Sequence, residues 1–253
     1  PAPVMYRSIV ERIDFSNDTA VALERNSISS SRYFNKGASS GRVASLPIIG
    51  YSFGEYASPR EVPIAVNFAY FAGGYTPSNN LSIVERLDYS NDTASLSRRG
   101  NLNHRARYCR GFSSEEYGYI LGGTSSPTPF SSSTGYFDHG SQVQRVEYAN
   151  DTVRGLLRAS MGSNTNGYDS GAATCTTSYG YYVAGGGYSL VWRLDFSSDT
   201  TTAPAVANSA SNRHMINGVG NKDYGYNGGG GPSAESTVQR IDYSNDTANT
   251  AAK

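Results

Sequence analysis

One ten-residue segment recurs five times along this chain of 253 residues, and such a repeat limits the fold more tightly than any single motif. It first reads Val10-Glu11-Arg12-Ile13-Asp14-Phe15-Ser16-Asn17-Asp18-Thr19, then returns at Val84, Val143, Val191 and Val238. Its arginines, Arg12, Arg86, Arg145, Arg193 and Arg240, stand 74, 59, 48 and 47 residues apart. The base period is therefore about 47, with two enlarged units. A second element follows four of the copies, an aromatic-rich run ending in glycines: Phe68 to Gly74, Tyr117 to Gly123, Tyr179 to Gly186 and Tyr224 to Gly229. Between the two elements an arginine recurs, read here as Arg32, Arg107, Arg158 and Arg213.

Runs this short, broken by glycine, read as strands rather than helices. Composition agrees: the chain holds 28 Gly and 20 Tyr, one opposing helix and the other suiting a half-buried pleated surface. The expectation is an all-β chain, a single domain over 1–253, forming a β-propeller of four or five blades, since the period falls in the range of about 40–50 residues per blade. Side chains alternate in a strand, so each repeat places its Arg and its acid on one face. The expected structural pairs are Arg12 with Asp14, Arg86 with Asp88, Arg145 with Glu147, Arg193 with Asp195 and Arg240 with Asp242. Within each couple the two charges are expected to neutralise each other where blades meet. The Ser-Asn-Asp-Thr that follows reads as a tight turn.

Ser82-Ile83-Val84-Glu85-Arg86-Leu87-Asp88, Arg107, and Tyr119-Ile120-Leu121-Gly122-Gly123 together resemble a kelch repeat, over nearly the whole chain. That resemblance implies four-stranded propeller blades. The chain departs from it in two ways: Tyr or Phe stands where a Pro follows the Asp, and the usual Trp after the turn is missing. The Asp-Tyr-Ser-Asn-Asp-Thr variant also resembles repeats in structural and tail-fibre-type proteins of marine bacteriophages, notably cyanophages. This second resemblance implies a virion protein.

Differences among the units point to function. The surplus in two units, near Glu55 to Asn67 and from Thr124 to Gly140, is expected to leave from equivalent hairpins on one rim. These loops hold Tyr56, Arg60, Glu61, Phe130, Tyr136, Phe137, Asp138 and His139. Aromatics beside a few polar groups suit sugar rings or a protein partner, or else pin the loops to the body. Trp192 replaces the Glu or Gln of the other copies, as a contact anchor or as packing.

Lys+Arg and Asp+Glu are 21 each, which argues against nucleic acid as a partner. No stretch of 18 apolar residues is present, so membrane insertion is not expected, and the opening residues do not read as a signal peptide. The three histidines, His104, His139 and His214, show no metal-ligand spacing. The Asp14, Asn17 and Asp18 oxygens are too few for Ca²⁺, which takes about 6–8 ligands. No adjacent histidines match a copper radical oxidase, no Gly and Trp complete a sialidase box, and Gly228 to Gly231 lack the lysine of a phosphate loop. Asn17, Asn91, Asn150 and Asn245 formally match glycosylation acceptors. Cys109 and Cys175 read as two separate buried thiols or as one bridge.

The function expected is non-enzymatic, with no cofactor and no metal. It is a virion structural or attachment module whose partners are other virion proteins or a host-surface glycan or protein, and a homo-oligomer is compatible with it. The rivals are a secreted sugar-binding propeller and a kelch-type protein-interaction scaffold.

Overall fold

In a computed structural model the described residues are 7–12, 19, 21–32, 36–39, 68–76, 79–123, 141–162, 170–185, 188–213, 215–231 and 236–253. They form five small antiparallel sheets arranged as a five-bladed β-propeller. β1 (Arg7–Arg12) pairs with β2 (Leu23–Arg32). The second sheet is β3 (Lys36–Ser39), β4 (Phe68–Ala72), β5 (Ile83–Asp88) and β6 (Ser97–Asn101) in that order. The third is β7 (Arg110–Ser113), β8 (Tyr117–Leu121), β9 (Gln142–Glu147) and β10 (Leu156–Ser160). The fourth is β11 (Ala172–Cys175), β12 (Tyr179–Gly185), β13 (Tyr188–Asp195) and β14 (Ala205–Asn208). The fifth is β15 (Asn217–Gly220), β16 (Tyr224–Gly228), β17 (Val238–Asp242) and β18 (Ala251–Ala252). The first strands of these four-stranded blades, β3, β7, β11 and β15, lie side by side in that order. They form the inner ring. β1 corresponds to the third strand of the other blades and β2 to the outermost.

The Val-x-Arg segment is thus the third strand of every blade, and the aromatic glycine run is the second. Paired positions recur: Tyr70 lies opposite Arg86, Tyr119 opposite Arg145, Tyr181 opposite Arg193 and Tyr226 opposite Arg240. Each glycine run ends where the chain must turn with positive φ. Gly123 sits at φ 88°, and a Cβ there would lie 2.5 Å from the Arg107 carbonyl oxygen. The Gly between two Tyr has another task. A Cβ on Gly180 would stand 2.2 Å from the Phe112 ring of the preceding blade, too close for any side chain.

After each third strand of the second to fifth blades comes a single 3-10 turn. The acid that closes the strand caps it in three cases. Asp88 accepts from the Ser90 backbone N–H at 2.9 Å and from the Ser90 hydroxyl at 2.6 Å, and Asp195 and Asp242 do the same with Ser197 and Ser244. The Ser90 hydroxyl and N–H hold the Asp88 carboxyl below its usual range, and those of Ser244 act likewise on Asp242. Glu147, one methylene longer and followed by Tyr148-Ala149, makes no capping bond.

The apolar core lies between blades. Four clusters fill four junctions. They centre on Ile28 and Leu87, on Tyr70 and Val146, on Tyr119 and Leu194, and on Tyr181 and Ile241. Cys109 and Cys175 sit buried in two of them and are not joined by a disulfide.

Candidate functional site

In the four couples whose members are both described, the expected pairing of the Arg with the acid two residues later is not an ion pair that forms. Asp88, Asp195 and Asp242 cap their own turns, and the arginines Arg12, Arg86, Arg145 and Arg193 reach across to the next blade. Their partner is the Asp of the next blade's turn, Asn-Asp-Thr in three cases and Ser198-Asp199-Thr200 in the other. Arg86 donates from Nη1 to Asp151 Oδ2 at 2.9 Å, and Arg145 to Asp199 Oδ2 at 2.7 Å. Arg193 reaches Asp246 Oδ2 at 2.7 Å, and Arg12 reaches Asp92 Oδ2 at 2.9 Å. Asp14, the acid paired with Arg12 on sequence grounds, lies outside the described residues.

Two further groups complete the clasp. The second-strand tyrosine donates its hydroxyl to the same oxygen: Tyr70 to Asp151 at 2.9 Å, Tyr119 to Asp199 at 3.1 Å and Tyr181 to Asp246 at 2.7 Å. An outer-strand arginine takes the other oxygen: Arg99 Nε lies 2.7 Å from Asp151 Oδ1, and Arg158 Nε lies 2.9 Å from Asp199 Oδ1. Arg25 stands in the same register, 3.5 Å from Asp92. Burial raises the Tyr70, Tyr119 and Tyr181 hydroxyls, and their bonds to the aspartates raise them further, so they act as neutral donors. Burial by itself would raise the Asp199 carboxyl. Hydrogen bonds from Arg158 and Arg145 outweigh it and hold that carboxyl below its usual range. A buried carboxylate is tolerated only when paired and hydrogen-bonded in this way.

The aromatic that stands where kelch repeats have Pro belongs to the same device. Tyr148 stacks on Tyr70 with centroids 4.9 Å apart, Phe196 on Tyr119 at 5.1 Å and Tyr243 on Tyr181 at 5.0 Å. Behind each tyrosine the guanidinium lies over another second-strand ring: Arg86 over Phe68, Arg145 over Tyr117 and Arg193 over Tyr179.

One sequence reading changes and another is decided. Arg158 is not equivalent to Arg107 and Arg213, which precede inner strands. It lies on β10 and matches Arg25 and Arg99. A constant signal was present: Arg25, Arg99 and Arg158 each follow their third-strand arginine by 13 residues. Trp192, read as a contact anchor or as packing, is only 2% exposed, which decides for packing. It packs against the Tyr182 ring in the core between the third and fourth blades. Its strand position explains this. The equivalent Gln144 accepts the backbone N–H of His104, and Gln239 accepts that of Ala210, so this slot faces the loop crossing between blades.

The loop residues singled out from sequence, Tyr56, Arg60, Glu61, Phe130, Tyr136, Phe137, Asp138 and His139, lie outside the described residues. Their points of departure are described. Residues 40–67 connect β3 to β4, the first hairpin of a blade, whereas 124–140 belong to the connection from β8 to β9, the second hairpin. Antiparallel strands reverse at every turn, so these hairpins sit at opposite ends of their sheets. The expectation of one shared rim is therefore overturned. The alternating strands put the two points of departure at opposite ends of their sheets, one on each rim.

Among the described residues no group of three or more His, Cys, Asp or Glu side chains is placed to hold a metal ion. Among them, too, no helix is long and apolar enough to cross a membrane. The fold and its repeated clasp define a five-bladed propeller with charge-locked junctions. No protein-family model matches the chain, and no curated protein matches it.

Proposed function

We propose that this protein is a non-enzymatic structural and attachment module of a virion, of the phage tail or fibre type. The observation that supports this reading most is the clasp. Every described junction is fastened by a carboxylate held from the neighbouring blade, and at three of the four, those of Asp151, Asp199 and Asp246, that carboxylate is buried. A body of that kind suits a rigid mount, and the repeat's resemblance to marine phage tail-fibre-type proteins supports placing the mount on a virion. The long connections at 40–67 and 124–140 then serve as the recognition elements, toward a host-surface glycan or protein on one rim and toward other virion proteins on the other.

Detection of the chain in purified virions at fixed copy number tests the reading, and absence from them removes it. Deleting residues 124–140 tests the loop. Loss of host-cell adsorption with an unchanged melting temperature is expected, and unchanged adsorption by a folded variant removes the loop from recognition. A soluble lectin would give glycan binding without any association with virions.

A further inference from the structure

The inner ring carries a buried charge that belongs to none of the clasps. Arg110 is the first residue of β7 and is 7% exposed. Its guanidinium reaches beyond its own blade. Nε donates to the Gly171 carbonyl of the fourth blade, and Nη2 donates to the Ile216 carbonyl of the fifth at 3.0 Å. Nη1 donates to the Cys109 carbonyl of the third at 3.0 Å and lies 3.5 Å from that of Tyr108. The third and fifth blades are not neighbours, because β11 lies between β7 and β15. A side chain that touches both crosses the centre of the ring.

The three carbonyls occupy equivalent places. Cys109, Gly171 and Ile216 each stand immediately before the first strand of a blade. The residue before each of them, Tyr108, Ser170 and Met215, is left-handed, at φ 58°, 56° and 56°. No other non-glycine residue among those described has a positive φ. Such a conformation persists only where its surroundings dictate it. Here backbone bonds join the turns in series: the Ser170 N–H donates to the Tyr108 carbonyl at 3.0 Å, and the Ile216 N–H to the Ser170 carbonyl at 3.1 Å. The carbonyl-bearing residues are themselves held. Cys109 and Ile216 are fully buried, and a Cβ on Gly171 would stand 2.5 Å from the Tyr182 ring. In the place of Arg110, β11 and β15 begin with Ala172 and Asn217, so of these three strands β7 alone brings a guanidinium.

We propose that the Cys109, Gly171 and Ile216 carbonyls form a cation seat at the centre of the propeller, shaped for a planar guanidinium, and that Arg110 is its resident, pinning the third, fourth and fifth blades together. Converging backbone carbonyls replace the water around a cation, and a buried charge is tolerated when it is hydrogen-bonded in this way. A guanidinium suits three carbonyls on three blades because its donors fan out in one plane, whereas an ammonium donates from a single point. Arg110 lies opposite Leu121, the last residue of β8, so the seat is at the end of the ring from which residues 124–140 depart. The blade that carries this insertion is thus tied to two others at that end.

Emptying the seat and refilling it tests this. Arg110→Ala should lower the melting temperature of the full chain by about 5 °C or more. Guanidinium chloride at low millimolar concentration should restore at least half of that loss, because a ligand that binds only the folded state stabilises it. The same salt should not raise the melting temperature of the parent, and sodium chloride at equal ionic strength should rescue neither. Arg110→Lys, which keeps the charge and loses the fan of donors, should recover less than half. An Arg110→Ala protein that melts like the parent, that guanidinium does not rescue, or that sodium rescues equally well overturns the proposal, as does an Arg110→Lys protein as stable as the parent. A measurement on the unaltered chain stands whether or not Arg110→Ala folds. Hydrogen exchange at the Arg110 Nε–H, followed by NMR, should be as slow as at the backbone N–H groups of β7, and exchange as fast as at the exposed Arg98 overturns the seat.

Discussion

The junction between the third and fourth blades and the one between the fourth and fifth are built from the same parts, less one. In both, a tyrosine and a third-strand arginine share one carboxylate oxygen: Tyr119 and Arg145 on Asp199, Tyr181 and Arg193 on Asp246. In the first, Arg158 takes the second oxygen from the outer strand. In the second, the residue in that register is Val206, which packs into the apolar cluster instead. Asp199 is correspondingly the better covered, with 4% of its side chain exposed against 9% for Asp246. One guanidinium and one tyrosine are therefore enough to hold the turn aspartate. The second guanidinium allows deeper burial, since each oxygen then has a charged donor.

Removing the carboxylates should break the comparison most sharply. Asp199→Ala leaves two guanidiniums and the Tyr119 hydroxyl facing a gap, and should cost about 3–5 kcal/mol in urea unfolding. Asp246→Ala strands one guanidinium fewer and should cost about 2 kcal/mol, below the usual range for breaking a buried pair. Equal losses would show that the outer arginine contributes nothing. Acid tests the same carboxylate. The Asp199 carboxyl titrates lower folded than unfolded, where an aspartate lies near pH 4. Its contribution is thus present above that pH and is lost as pH falls through the lower folded value. Unfolding free energy measured from pH 6 to pH 2 should drop less steeply in Asp199→Asn than in the parent.

Much of this was legible in the sequence. Five copies at a 47-residue base period gave the propeller, and the glycine runs gave the second strands, because both signals are local and repeat. The clasp was not legible from one copy. Arg86 and Asp88 share a strand face, so pairing them was the economical reading. But Asp88 is consumed by the Ser90 N–H beside it, and Arg86 is long enough to cross to Asp151, 65 residues on. Only a contact between blades separates these options. The single-rim placement of the two insertions failed for a related reason. The rim placement assumed that both surpluses leave from equivalent hairpins, but the strand that pairs with β5 is Phe68–Ala72, so residues 40–67 precede the second strand. That moves the earlier insertion to the other hairpin. Trp192 stayed open between anchor and packing because a lone large aromatic among Glu and Gln suits either, and only its slot, which faces the crossing loop, decides for packing.

The finest test exchanges the one part that differs. Val206→Arg would place a guanidinium at the register of Arg158, within reach of the Asp246 oxygen that no arginine now takes. Val206 is half-buried, so the substitution gives up some apolar contact with the cluster around Tyr181 and Ile241. Against that loss stands a partly exposed charge pair, worth about 0.2–1 kcal/mol. The reverse change, Arg158→Val, removes such a pair and leaves Asp199 with Arg145 and Tyr119, as Asp246 now stands with Arg193 and Tyr181. If the outer arginine acts as argued, Arg158→Val should lose up to about 1 kcal/mol, while Val206→Arg gains a smaller amount or nothing. Arg158→Val should also move the Asp199 acid titration upward, since the guanidinium it removes helps hold that carboxyl below its usual range. Carboxylate titration followed by NMR reads that shift directly, and a shift in Asp199 without any change in stability would make the outer arginine an electrostatic partner that leaves the blades no more tightly joined.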